Sequence, residues 1–262
     1  MQEFLRKRQL RLLDMLIKLD KFCQNNNLEY FLIGGSTLGA VRHSGFIPWD
    51  DDIDVAMWRT DFERFEEIAL HREVDGLLYE PVEGHSFPEA PIGFLYDTTD
   101  KNIPLCECPC IDVFPIDNIP NSKFMRKIQK TFSYLYHISV YRQASQNRGG
   151  YSAMITSLFI KCTPRFMFSF YTKISKKIIT YWVKKDTDCV ANIFGMKRFD
   201  RETMPRGNFG TPQLALFEGR EFPLPQDTDK YLTRLFGDYM QLPPIEEQQP
   251  HHIKLKIEEE QV

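Results

Sequence analysis

Four acids crowd into five positions at Asp50-Asp51-Asp52-Ile53-Asp54. Side chains on a β-strand alternate with period two, so Asp52 and Asp54 would project to one face. Carboxylate oxygens suit hard divalent ions, and Mg²⁺ is usually held by one or two carboxylates together with phosphate oxygens of a substrate. The pair is therefore a candidate platform for Mg²⁺ or Mn²⁺ facing a phosphate. Four neighbouring acids also repel one another, so a bound cation would relieve them, with Asp50 and Asp51 as supporting groups. Upstream, Gly34 and Gly35 would let the backbone come close to a phosphate. Ser36 adds a hydroxyl, and a helix starting there adds the positive end of its dipole. A third acid, Asp112, sits inside the apolar run Ile111-Asp112-Val113-Phe114. A charge among such neighbours is costly unless it meets a metal or a donor. Asp112 is thus expected either to complete the metal set with Asp52 and Asp54 or to accept the proton of an attacking hydroxyl.

Those residues need elements to place them. Leu28 to Ile33 reads as a short buried strand running into a tight Gly34-Gly35-Ser36 turn, with a short helix over Thr37 to Val41. Asp52 to Met57 reads as the next strand, and Thr60 or Asp61 as the cap of a helix that follows it. Leu77 to Glu80, Ile92 to Tyr96 and Ile111 to Phe114 are three further strands. Before all of these, Leu5, Leu12, Leu16, Leu19 and Cys23 form one stripe of an amphipathic helix ended by Asn25, Asn26 and Asn27. Near the C-terminus, FEGREFPLP reads as a turn and a strand. Asp227 or Thr228 caps a helix that Gly237 stops. Alone, a Gly-Gly-Ser turn is most often only a turn, and Asp-x-Asp is commonly a solvated loop. Strand, Gly-Gly-Ser, helix and Asp-x-Asp strand in succession make the arrangement nucleotidyltransferases use. Arg42 and His43 lie between the two elements and are candidates to meet phosphate.

Composition narrows the class. With 262 residues, 42% of them apolar, and a net charge of −3, the chain is a globular protein long enough for a sizeable core. The N-terminal stretch has no uninterrupted apolar region of a signal peptide, and the six cysteines form no paired framework. The expectation is a cytoplasmic protein with reduced thiols and no spanning helix. Charge is unevenly spread, however. Between Asp117 and Asp186 there is no acid but thirteen Lys and Arg, while the other residues carry 36 acids and 20 bases. Aromatic and aliphatic residues are mixed into this basic stretch, as in a helix lying at a membrane interface. The expectation is peripheral contact with the inner face of a membrane through residues 119–185. The plainer reading is a set of basic helices packed on an acidic core. The dispersal of the bases and the lack of a binding motif argue against nucleic acid. Cys106, Cys108 and Cys110 would point one way on a regular strand. A zinc site there would need a distant ligand such as His85 or Cys189.

The blocks GGSTLGAVRH (34–43) with GFIPWDDDID (45–54), IDVFPID (111–117), and Phe217-Glu218-Gly219 with Tyr231-Leu232, FGDYM (236–240) and Leu242-Pro243-Pro244 closely resemble the motifs of the LicD family of phosphotransferases. That family includes bacterial phosphocholine transferases and, more distantly, the fukutin-related ribitol-phosphate transferases. The resemblance spans about residues 10 to 250. It implies an α+β protein: a nucleotidyltransferase-fold mixed sheet flanked by helices, with a basic, mainly helical insertion. The division it suggests is a catalytic core over 1–118, the insertion over 119–190 and a C-terminal segment over 191–262 that completes the core. It further implies transfer of a phospho-alcohol from a CDP-activated donor, usually CDP-choline, to a glycan hydroxyl, the glycan being free or lipid-linked, with release of CMP. Asp52, Asp54 and Asp112 would be catalytic and hold the metal. Gly34, Gly35, Ser36, Arg42, His43 and Trp49 would bind substrate. A choline donor needs an aromatic face for its quaternary ammonium, and Trp49, Phe46 and Trp58 are the nearby candidates. Two competing readings stay open: an enzyme moving NMP from an NTP with release of pyrophosphate, and a non-catalytic protein of the membrane surface.

Overall fold

The computed structural model describes residues 2–80, 92–101, 103–141, 151–193 and 199–250. It is an α+β protein built on a curled mixed sheet. Helix α1 (Gln2–Asn26) leads to strand β1 (Phe31–Leu32), helix α2 (Gly34–His43), strand β2 (Ile53–Trp58) and helix α3 (Arg59–His71). Strands β3 (Leu78–Glu80), β4 (Gly93–Tyr96) and β5 (Cys110–Ile119) follow. The sheet runs β1-β2-β5-β4-β3. Within it β2 and β5 are parallel and the other neighbours antiparallel. The predicted stripe of α1 is its buried face: Leu5, Leu12, Leu16, Leu19 and Cys23 are all within the core.

Period-two alternation sorts the sheet into two faces. On one, Ile53, Val55 and Met57 of β2 and Ile111 and Val113 of β5 pack with α1 and α3. On the other, Phe31, Ala56 and Ile116 pack with the C-terminal elements. Short helix α7 (Phe199–Glu202) is tied to helix α8 (Thr228–Phe236), which supplies Tyr231, Leu232 and Leu235 to that face. The hairpin of β8 (Gln213–Phe217) and β9 (Arg220–Leu224) instead packs Phe217, Phe222 and Leu224 on the α1 and α3 side. Strand β6 (Cys189–Ala191) pairs with the far end of β5, and β7 (Met204–Pro205) pairs with β6. Sequence reading missed β6 and β7, which are three and two residues long, and the five-residue β8. The basic stretch is helical: α4 (Lys123–Tyr141), α5 (Tyr151–Cys162) and α6 (Arg165–Ile179). It is joined to the core through Ile119, Tyr136, Ile179, Val183, Ala191 and Ile193.

Some local expectations need correction. Gly34-Gly35-Ser36 is not a separate turn but the first turn of α2, entered through a left-handed Gly34 with φ of +55°. Neither Thr60 nor Asp61 caps α3, which starts one residue earlier behind Trp58. Its start is fixed instead by Arg59, which donates to both carboxylate oxygens of the fully buried Asp117 at 2.7 and 2.6 Å. The predicted C-terminal signals hold: Asp227 accepts from the Lys230 amide, and Gly237 ends α8 at a φ of +77°. Cys108 and Cys110 do not share a face. A 3₁₀ turn at Leu105–Glu107 interrupts the extended chain, and β5 begins only at Cys110. The Cys108 thiol turns inward to the carbonyls of Ile103 and Pro104, while the Cys110 thiol donates to Asp112 Oδ1 at 3.6 Å. His85 and the Cys106 side chain lie outside the described residues, so the zinc idea has only Cys189 to consider. Cys189 pairs with Ile119, at the opposite end of β5 from Cys110.

Candidate active site

Parallel pairing of β2 with β5 sets Asp54 directly beside Asp112 in register. Neighbouring residues in register point to the same face, so the two carboxylates share one side of the sheet. Asp52 precedes the first residue of β2, and it acts on Asp54 electrostatically rather than through strand alternation. The Asp54 carboxyl is pushed well above the usual carboxylate range, first by burial and then by the charges of Asp52, Asp112, Asp50 and Glu202. Burial and Asp52 push Asp50 the same way. Burial raises Glu202, at the end of α7, to about 7.

The start of α2 abuts these acids. A Cβ on Gly34 would lie 3.1 Å from Asp54 Oδ2, and one on Gly35 would lie 2.9 Å from Asp50 Oδ2. The two glycines therefore make room for carboxylates at a helix N-terminus, where the dipole favours negative charge. The Gly34 amide donates to the hydroxyl of buried Tyr231 at 2.8 Å. Ser36 Oγ accepts from the Asp54 amide at 3.0 Å. Ser36 thus ties α2 to β2 at Asp54. Gly39 is obligatory for a different reason: a Cβ there would fall 2.4 Å from the Gly45 carbonyl oxygen. That close approach folds the loop after α2 back onto it, with the Ser44 and Gly45 amides donating to Ala40 and Gly39.

A cleft of about 1050 Å³ opens over this arrangement. Gly34, Gly35, Arg42, Trp49 and Asp54 line it on one side, Glu202 on another, and residues 235–249 in part close it. Five sequence candidates meet there. Asp52, Asp112, Ser36 and His43 flank it without lining it: His43 receives a hydrogen bond from Arg42 Nε at 3.0 Å and meets Trp49 edge-on. Arg42 also donates to the Tyr239 carbonyl at 2.8 Å, which anchors the C-terminal wall to α2. Of the aromatic candidates, only Trp49 lines the cleft. Phe46 is buried against Phe217, and the Trp58 ring is covered by the Arg206 guanidinium at 4.5 Å. Sequence reasoning missed Glu202 and the role of Tyr231. Tyr231 stood in a recognised motif, but nothing in Phe199–Glu202 marked the glutamate.

Among the described residues, no group of three or more His, Cys, Asp or Glu side chains is disposed to hold a metal ion. The chemistry of the donors nonetheless fits a hard divalent cation. Asp54 is surrounded by oxygen donors whose mutual repulsion such an ion would neutralise.

The comparisons bear on the same stretch. Residues 27–129, from the turn before β1 to the middle of α4, match the model of the LicD/FKTN/FKRP nucleotidyltransferase domain. The lipopolysaccharide cholinephosphotransferase LicD of Haemophilus influenzae is 28% identical over 95% of this chain and 96% of its own length. The chain resembles the LicD family in this domain and, more weakly, along most of its length. Its likeness to the ribitol 5-phosphate transferase FKRP of human and mouse is local: 44% identity over 41 residues, 16% of this chain and 8% of that protein. The matched region holds α2, β2 and β5, and so every sequence-predicted site residue. The C-terminal wall of the cleft lies beyond it.

Proposed function

We propose that the chain is a phosphotransferase that moves a phospho-alcohol, phosphocholine in the first instance, from a CDP-activated donor to a hydroxyl of a cell-surface glycan or its lipid-linked precursor, releasing CMP. The observation that carries this reading is the placement of Asp54 beside Asp112 on parallel strands, next to a glycine-opened helix N-terminus at a large cleft. The choice of donor is supported by the name of the full-length Haemophilus relative. In this reading β1, α2, β2 and β5 are the heart of a nucleotidyltransferase fold. Residues 119–190 are an insertion, and 191–262 complete the core, as the pairing of β6 with β5 and the packing of α8 on the sheet support.

Asp52, Asp54 and Asp112 would hold Mg²⁺ or Mn²⁺, which when bound supplies neutralisation of charge on the phosphoryl group and on departing CMP. The chain's own residues do the remaining work. Gly34 and Gly35 keep the α2 terminus free of side chains, so a pyrophosphate can approach its amides and its dipole. Arg42 holds the C-terminal wall against α2 and adds positive charge to the cleft. Trp49 offers an aromatic face to a quaternary ammonium. Asp112, beside Asp54, either shares the metal or accepts the proton of the attacking hydroxyl.

The test is to incubate the purified chain and Mn²⁺ with CDP-choline, CDP-ribitol, CDP-glycerol and NTPs in the presence of a glycan extract. CMP release that depends on both a CDP-alcohol and the glycan is the expected result. Pyrophosphate from an NTP, with no CMP from any CDP-alcohol, would replace this reading with nucleotidyl transfer.

A further inference from the structure

Two helices of the basic stretch expose large apolar side chains between their bases. A helix packed on a protein core ordinarily shows a polar stripe to water. On α6 the exposed positions are Arg165, Phe166, Ser169, Phe170, Lys173, Ile174 and Lys177, which follow one face at spacings of three and four. Phe166 is 78% exposed and Phe170 59%. The opposite face, with Phe168, Ser175 and Ile179, is the buried one. On α5 the exposed stripe is again apolar and ends in a base: Met154, Ile155 and Leu158, then Lys161. The two helices are joined by Thr163-Pro164 and pack together through Phe159, whose ring meets Phe168 and Tyr171. Their corner thus presents Leu158 and Phe166 outward.

We propose that the α5–α6 pair is a docking face for an anionic lipid bilayer, lying in the interface with its apolar side chains inserted and its lysines at the headgroups. The inference stands apart from the catalytic reading, since it uses none of the cleft residues. Neither helix can cross a bilayer, as no helix among the described residues is long and apolar enough. Lysines beside large apolar groups on one helical face are the pattern of an interfacial helix. Charge also selects this occupant over a second copy of the chain. Residues 118–185 contain no Asp or Glu, so a two-fold contact through this face would set Lys173 and Lys177 near their own duplicates without an acid to compensate. An anionic surface supplies that compensation. Exposed bases continue along Lys123, Lys127, Lys184 and Lys185.

The full chain should co-sediment with vesicles of phosphatidylcholine and phosphatidylglycerol at low salt, bind pure phosphatidylcholine far less, and release as salt rises. Lys173→Glu with Lys177→Glu should lower the partition coefficient on the order of 100-fold. Phe166→Ser with Phe170→Ser should lower it on the order of 100-fold while leaving the salt sensitivity in place. Circular dichroism and melting should match wild type in both. Phe170→Trp, which removes nothing, gives an independent readout: its fluorescence should shift to the blue and be quenched by lipids brominated near the headgroup. Absence of vesicle binding at low salt, or equal binding to both vesicle types, would overturn the proposal. So would a concentration-dependent dimer in sedimentation equilibrium that the Phe→Ser pair abolishes.

Discussion

Asp112 and Asp117 stand on one strand, in one motif, and face opposite sides of the sheet. Asp117 is fully buried and has a cation of its own: Arg59 binds both its oxygens. Burial pushes its carboxyl up and Arg59 pulls it back. Asp112 stands beside Asp54, whose neighbours Asp52, Asp112, Asp50 and Glu202 are all acids that drive its carboxyl upward. The first arrangement is an ion pair completed during folding. The second gathers negative charge beside the cleft, which is costly to the fold and is what the proposed cation site would relieve.

The sharpest way to break this distinction is to neutralise each kind of acid. Asp54→Asn and Asp52→Asn should each lower transfer by on the order of 10²–10³-fold or more, with a melting temperature equal to or above wild type because like-charge repulsion is removed. Asp112→Asn should also stop transfer; an effect that excess metal reverses would mark it as a ligand rather than the base. Arg59→Ala should behave oppositely. It leaves a buried carboxylate uncompensated and should cost about 3–5 kcal/mol in urea unfolding, while whatever remains folded turns over at the wild-type rate. An Asp54→Asn protein that unfolds, or an Arg59→Ala protein that is stable but dead, would reverse the two roles.

Metal sharpens the same contrast without touching a ligand. Chelation should abolish transfer and Mg²⁺ or Mn²⁺ restore it. Calorimetry should show the ion raising the melting temperature of wild type but not of Asp54→Asn, since only a ligand bound to the native state stabilises it. A metal-induced rise of equal size in both proteins would place the ion elsewhere.

Much of this was legible in the sequence, and the pattern of successes follows physical range. The α1 stripe, β2, the Asp227 cap and the Gly237 stop are set by residues within a turn or two of each other. The shared face of Asp54 and Asp112 could be anticipated, because two apolar runs with an embedded acid invite pairing. What local pattern could not reveal is who meets whom across the chain. Arg59 meets Asp117 across 58 positions, and the Gly34 amide meets Tyr231 across 197. Trp58, as near in sequence to the acids as Trp49, is claimed by Arg206. The cysteine run failed for a related reason: a 3₁₀ turn breaks the alternation on which it depended.

Glu218 extends the comparison to the C-terminal motif, with a smaller effect. It stands in a block that resembles a family motif, and its carboxylate binds Arg6 at 3.0 and 2.6 Å and accepts from the Phe46 amide at 3.2 Å. The β8–β9 turn is thereby clamped to α1 and to the loop after α2. The Arg6 hydrogen bond holds the Glu218 carboxyl below its ordinary range. A depressed folded-state value means the clamp contributes fully above about pH 4.5 and is lost as pH falls through the lower folded value. Arg6 is half exposed, so solvent screening limits the contribution. Glu218→Gln should cost about 1 kcal/mol at pH 7, lose that difference in acid, and leave KM unchanged. A raised KM at full stability would move Glu218 into the site.

The smallest effect comes from the tryptophans, where the same test of an internal partner can be put to an uncharged group. Trp58 already carries the Arg206 guanidinium over its ring and donates its Nε1 proton to Glu29 at 2.8 Å. Trp49 lines the cleft, packs at the margin of the Phe31–Ile116 cluster and is met edge-on by His43. A quaternary ammonium entering the cleft would therefore find Trp49 and not Trp58. A cation over a partly desolvated indole is stabilised by about 1 kcal/mol, so Trp49→Leu should raise KM for CDP-choline roughly fivefold, because 1.4 kcal/mol corresponds to tenfold. The same change should leave KM for CDP-ribitol or CDP-glycerol nearly as it was, since those carry no cation. Trp58→Phe should affect neither KM while lowering stability through the lost hydrogen bond and packing. Equal losses with CDP-choline and CDP-ribitol in Trp49→Leu would show that the ring shapes the cleft without reading charge, and the donor would then have to be identified by transfer assays alone.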